Sequence, residues 1–196
     1  MSTRQGVPSA PALTALGDRP LRFDALSLNA DGTPVKVVNS DESFDLLFGR
    51  PDAPRLAMEV TALMRPFPAG LLTGVGLLVA NPVYAGPKAQ PLFTPSAYHG
   101  EVVWSWQQAL LAAGLARQRA RTDLPAGLQS KLAEAQTALW TVITANKAVA
   151  NSELWSWAFV DGRYQVAPFG AGVADADEAN AAQLWSTVFL ALKPPA

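Results

Sequence analysis

The chain contains no cysteine and a single histidine among 196 residues. These two shortages remove disulfides, thiolate metal sites and a cysteine nucleophile, and they argue against a histidine-built metal centre. We therefore expect neither a metal nor another cofactor. Charge is also scarce: Asp, Glu, Lys and Arg make up 16% of the residues, against roughly 25% in a typical soluble domain. The net charge is −1 with both signs scattered, so no basic patch points to nucleic acid or to an anionic membrane. Long apolar runs are missing too. The greasiest stretch, "AGLLTGVGLLVANPVYAG", is broken by Gly74, Gly76, Asn81 and Pro82 and falls short of the ~20 residues that span a bilayer. The opening "MSTRQGVPSAPALTALGDRP" has no continuous apolar core of the signal-peptide kind. The expectation is a soluble chain, with the cytoplasm favoured.

What remains is unusually apolar, 49% hydrophobic with six tryptophans. A length of 196 residues suits one domain with a substantial core. Residues 1–20 read as a flexible arm and 21–196 as the domain. "LRFDALSLNADGTPVKVVNSDESFDLLFG" reads as a strand, a turn at Asp31-Gly32, a second strand, and a helix capped near Ser40 or Asp41 and stopped by Gly49. "APRLAMEVTALM" has helical periodicity and ends before Pro66. Residues 66–97 are rich in proline and glycine yet nearly uncharged, which suits a buried loop near a site or an irregular strand.

A helix is expected from about Val102 to Arg121, apolar nearly all round and hence central. The next, from about Leu124 to Asn146, is two-faced: Leu128, Leu132, Ala135, Leu139, Val142 and Ile143 oppose Lys131, Glu134 and Gln136. Trp140 on this helix reads as core. "ELWSWAFVDGRYQVAPF" has the pattern of a hairpin turning at Asp161-Gly162, and "DEANAAQLWSTVFLAL" that of a further inner helix with Asp177-Glu178 at its start. Alternation of buried and amphipathic helices implies an α/α barrel rhythm.

Four segments in order then carry a resemblance: "GLLTGVGLLVANPVYAG", "YHGEVVWSWQQALLAAGLARQ", "SELWSW" and "NAAQLWSTVFL". Together they resemble the C-terminal part of six-hairpin, (α/α)6-toroid glycosidases of the glycogen-debranching (amylo-α-1,6-glucosidase) and glucoamylase-like type. The resemblance implies a mainly α fold, a partial toroid with one small β-hairpin. It also implies a glycoside hydrolase portion acting on a glucan or other oligosaccharide. Glu153 would stand where the family's catalytic base stands, Tyr98, His99 and Trp104 would face the sugar, and Gln183 and Trp185 would begin the last inner helix. Beside the resemblance, Glu101 at the start of the inner helix is a second candidate catalytic carboxylate. Trp106, Gln107 and Trp155 are further candidate sugar contacts, the tryptophans because aromatic faces at loop and hairpin junctions suit sugar C–H surfaces.

This sequence departs from the family pattern where Ser105 follows Trp104 and where Ser152 precedes Glu153. A full toroid has more helices than this chain can supply, and the family's general acid lies in the absent N-terminal half. The chain alone is therefore expected to be inactive. A homo-oligomer or the missing half would cover its open faces. The other reading is a non-catalytic carbohydrate-binding or interaction fragment, in which Glu153 merely caps a turn and Glu101 favours a helix dipole.

Overall fold

The computed structural model describes residues 9–170 and 184–194. Helix α1 (Ser9–Leu16) lies within the segment read as an arm, and its Ala12 is fully buried. Leu28 and Pro34 then bridge across a turn in which Gly32 takes φ +82°. Strand β1 (Val38–Asn39) leads into α2 (Glu42–Phe48), which begins after Asp41 and stops at Gly49. Helix α3 (Ala53–Leu63) is capped by Asp52, whose side chain accepts from the Arg55 amide at 2.9 Å.

The proline- and glycine-rich segment forms three short strands, β2 (Leu72–Thr73), β3 (Gly76–Leu77) and β4 (Ala80–Asn81), with residues 75–83 all buried. Polar side chains satisfy its backbone. Asn81 Nδ2 donates to the carbonyls of Pro68 and Gly70 at 3.0 and 2.7 Å, and the Thr73 hydroxyl donates to Gly76 O at 2.7 Å. A short 3-10 turn (Gln90–Leu92) precedes β5 (Val103–Trp104). Two long helices follow, α4 (Ser105–Arg119) and α5 (Ala126–Ala145), then β6 (Leu154–Val160), β7 (Arg163–Ala167) and the short α6 (Leu184–Thr187). A 3-10 turn, Val188–Ala191, ends the described chain.

The expected mainly α partial toroid is contradicted. The strands make three small sheets, β1–β4, β2–β3 and β5–β6–β7, and every pairing in them is antiparallel. Among the described residues only α4 and α5 exceed eleven residues, so the stacked pairs of long helices that build a toroid do not form there. The physical reason is visible at Val102–Trp104. These residues have a helical spacing with Gln108 and Leu111, yet β-branched valines and an aromatic suit a pleated ladder equally well. Val103 pairs with Trp155 and Trp104 with Leu154, so the helix opens at Ser105 instead. A partner segment so distant in sequence leaves no trace in local periodicity. The hairpin is where the Asp-Gly pair puts it: Asp161 and Gly162 both have positive φ, +50° and +78°, between β6 and β7.

Helix α4 is central. Leu111 and Leu115 are fully buried and join Leu56, Val60 and Leu63 of α3 and Leu132, Leu139 and Ile143 of α5 in the main core. Trp140 is buried there as well. At Gly114 a Cβ would come within 2.9 Å of Leu46 Cβ, so glycine sets the close approach of α2 to α4. Buried glutamines on α4 serve neighbouring backbone. Gln108 Oε1 accepts from Leu77 N at 3.1 Å, Gln118 Nε2 donates to Leu46 O at 2.5 Å, and Gln107 Nε2 donates to Ser40 O at 2.9 Å.

Candidate functional site

The loop before β5 folds back on itself through the Ala97–Thr94, Gly100–Ala97 and Glu101–Phe93 backbone bonds. Gly100 makes that possible, since a Cβ there would sit 2.2 Å from the Thr94 carbonyl oxygen. The loop presents Tyr98 and His99 to Trp104, whose indole Nε1 donates to Tyr98 O at 3.0 Å. Tyr98 and His99 lie with ring centroids 5.0 and 4.9 Å from Trp104. Trp106 stacks on Trp104 at 5.2 Å, Trp185 lies 5.3 Å beyond Trp106, and Phe44 of α2 meets Trp106 edge-on at 6.1 Å. His99 is exposed, Trp106 is half-buried, and Trp185 keeps 48% of its surface in solvent. A continuous aromatic row thus runs from a buried end at Trp104 to an open end at Trp185.

Polar groups flank the row. The Tyr98 hydroxyl donates to Glu153 Oε1, while Glu153 Oε2 is buried with no hydrogen-bond partner. Glu153 is held from its backbone side as well: its carbonyl accepts from Ser105 N at 2.9 Å and from the Ser105 hydroxyl at 3.2 Å. Asp41, half-buried at the start of α2, accepts from Gln107 Nε2 at 3.3 Å. Burial raises the Asp41 carboxyl above its ordinary range, with His99 and the Gln107 bond opposing the rise. Asp41 and Phe44 drew no attention as site residues in the sequence, because only the fold carries α2 to the mouth of α4.

Of the eight site residues expected from the sequence, Tyr98, His99, Trp104, Trp106 and Glu153 come together around this row. Three stand elsewhere. Gln107 is fully buried and holds the Ser40 carbonyl, the Asp41 carboxylate and the Ser43 hydroxyl, a role in anchoring α2. Trp155 is in the main core with its Nε1 donating to Val75 O at 2.8 Å. Glu101 lies at the far end of the β5–β6 ladder, its carbonyl accepting from Trp157 Nε1 at 2.9 Å.

The two glutamates flank opposite ends of this two-rung ladder: Glu101 sits in a bend before β5, its carbonyl taking the Trp157 indole, and Glu153 immediately precedes β6, its carbonyl taking Ser105 N. Their surroundings differ as well. Both Glu101 carboxyl oxygens are buried without a hydrogen-bond partner, and burial alone pushes its pKa up to about 7. Gln183 and Asp177-Glu178 lie outside the described residues; Trp185 joins the row.

Further buried carboxylates escaped the sequence reading. Arg55 contacts Asp24, Asp45 and Glu59 at 2.7, 3.0 and 2.7 Å. Glu59 is fully buried, and burial outweighs its arginine partner to raise it to about 8. Glu42 accepts from Asp24 N at 2.6 Å and is raised to about 7, again by burial first. Among the described residues no group of three His, Asp or Glu is arranged to hold a metal ion, and the guanidinium of Arg55 occupies the centre of this cluster. Among the same residues, no helix is long and apolar enough to cross a membrane. No protein-family model matches the chain, and no curated protein matches it significantly.

Proposed function

We propose that this chain binds carbohydrate along the aromatic row formed by Trp104, Trp106 and Trp185, with Tyr98, His99 and Asp41 meeting the sugar hydroxyls. The observation that carries the reading is the row itself: successive centroids 5.2 and 5.3 Å apart, ending in a half-exposed tryptophan. Sugar rings have apolar C–H faces and a polar rim, so they are recognised by aromatic faces with hydrogen-bonding groups at the edge. The Glu153 carboxylate, bonded to the Tyr98 hydroxyl, fixes the orientation of the tyrosine from below.

Hydrolysis is the second reading, favoured by the carboxylate of Glu153 beneath the row. A glycosidase needs two carboxyl groups roughly 5–9.5 Å apart across the scissile bond. Glu101 stands at the opposite end of the β5–β6 ladder with both carboxyl oxygens buried, which gives that pair no support, so Glu153 as a base would depend on an acid from outside this chain.

The test is tryptophan fluorescence titration with linear glucan oligosaccharides such as maltoheptaose, paired with a reducing-sugar assay. Saturable quenching is expected, with Trp106→Ala weakening affinity at least about tenfold, and no release of reducing sugar by the chain alone. Absence of saturable binding across α- and β-linked glucans, or unchanged affinity in Trp106→Ala, would sink the binding reading. Turnover that Glu153→Gln abolishes while sugar binding persists would replace it with the hydrolytic one.

A further inference from the structure

A second site lies apart from the aromatic row, between α3, α5 and the end of the N-terminal segment. There a cleft of about 380 Å³ is lined by Arg19, Arg65 and Lys131, with Glu134 as the lone carboxylate and Val60 and Met64 among its apolar walls. Three cations against one anion leave an excess of positive charge. Among the described residues none of the three cations makes an ion pair. That is unusual for Arg65, which is 9% exposed. Its Nε is buried without an acceptor, and the bond from Nη2 to Pro20 O is long, 3.4 Å.

Lys131 is half-buried beside it. Its ammonium donates to Ala57 O at 3.2 Å and to the Thr61 hydroxyl, leaving one of three protons unused. Burial first and then the charge of Arg65 push the Lys131 pKa down, and Glu134 only partly opposes them. Arg19 donates to the Ala15 and Leu16 carbonyls at the end of α1, which sets its guanidinium where two clefts meet. The second cleft, about 560 Å³, shares Arg19 and is walled by Leu13, Leu16, Leu21, Phe23 and Tyr84, with Lys36 as its other charged residue. A cationic cleft and a largely apolar one therefore adjoin at Arg19.

We propose that these adjoining clefts together bind an anionic amphiphile, a carboxylate with a hydrocarbon chain, its head group between Arg65 and Lys131 and its chain passing Arg19 to lie along the Leu13–Phe23 wall. Charge complementarity selects the head group. The apolar cleft selects the tail, and burying its methylenes is favourable at roughly 25 cal/mol per Å². The aromatic row contributes no residue to either cleft, so this site stands or falls independently of carbohydrate binding.

The experiment is isothermal titration of the full chain with decanoate, with decanol and decyltrimethylammonium as neutral and cationic counterparts. Decanoate is expected to bind saturably and at least tenfold more tightly than either counterpart. Lys131→Met should weaken decanoate roughly ten- to hundredfold, the scale of a lost hydrogen bond to a charged group. Lys131→Arg should restore most of it, and Lys88→Met, on an exposed loop, should change nothing. Because Arg65→Gln is a buried change, circular dichroism must show its fold retained; Lys131→Met supplies the decisive comparison in either case. Equal affinity for decanoate and decanol, no effect of Lys131→Met, or no saturable binding of decanoate at millimolar concentration would each overturn the proposal.

Discussion

Replacing Glu101 by glutamine should flatten part of the pH dependence of folding stability, by an amount that follows from the structure. The Glu101 carboxyl is 1% exposed, neither oxygen has a hydrogen-bond partner, and burial pushes its pKa from the ordinary 4.5 to about 7. Between those two values the folded protein holds a proton that the unfolded chain has released. Stability contributed by the neutral form is therefore fully present below pH 4.5, is lost as pH rises toward 7, and changes no further above that. Each unit of difference corresponds to ~1.4 kcal/mol. Integrating from about pH 5 to 8.5 gives a loss of roughly 2–3 kcal/mol from this one residue.

Glutamine has nearly the same shape and cannot ionise. Urea unfolding of wild type and Glu101→Gln at a series of pH values should thus show the wild type gaining roughly 2–3 kcal/mol relative to the variant on going from pH 8.5 to pH 5. Glu42 and Glu59 titrate in both proteins, so taking the difference removes their share. A difference that stays constant with pH, or one that grows in the opposite direction, would refute the argument that burial alone governs this carboxyl. Tyr164, raised by burial and then by the charge of Glu101, gives a second readout: its phenol should ionise at lower pH in the variant.

Three further outcomes are expected. Gly76 has φ +146°, and a Cβ there would lie 2.5 Å from Val103 Cγ1, so Gly76→Ala should lower stability by about 1–3 kcal/mol in denaturant unfolding, with Val103→Ala in the same chain recovering part of it. Trp155→Phe removes the donor to Val75 O within the core and should cost about 1–3 kcal/mol while leaving glucan affinity unchanged; a loss of sugar binding with stability intact would return Trp155 to the site. Phe159, Val160 and Val166 of the β6–β7 hairpin are 60, 44 and 37% exposed, so the chain should self-associate at micromolar concentration in sedimentation velocity, and Phe159→Ser with Val166→Thr should return it to monomer.

Much of the local structure was legible in the sequence, for reasons that differ between elements. Helix α5 declared itself by the 3.6-residue recurrence of Leu128, Leu132, Leu139 and Ile143, and all four are buried. Asp161-Gly162 marked the hairpin because few residue pairs tolerate two positive φ angles. Gly49 ended α2 as expected. What periodicity could not convey was pairing between distant segments. The register that joins Val103 to Trp155 and the approach of α2 to α4 at Gly114 are tertiary facts, and they redirected the architecture away from a toroid.

The same limit applies to the site. Tyr98, His99, Trp104 and Trp106 are near one another in sequence and stayed together in space. Trp155 and Gln107 carry equally suggestive side chains, yet one is turned into the core and the other onto the Ser40 carbonyl just before α2. Asp41 and Phe44 reached the row only through the packing of α2 on α4.

The β5–β6 pairing also bears on the order in which the chain acquires its shape. Val103 and Trp155 are neighbours across a ladder that encloses both α4 and α5. Closing a loop of that length in a disordered chain is entropically unfavourable, whereas two helices joined by a short connection meet through local contacts. Once α4 and α5 have packed, the ends of the loop are already near each other and the remaining search is small. We therefore expect the helical pair in the folding nucleus and the three-stranded sheet in the steps that follow it. Substitutions in the α4–α5 contact should slow folding, and those in the ladder should mainly hasten unfolding. The proposed carbohydrate surface, which depends on Trp104, the last residue of β5, would then be among the last parts of the molecule to be completed.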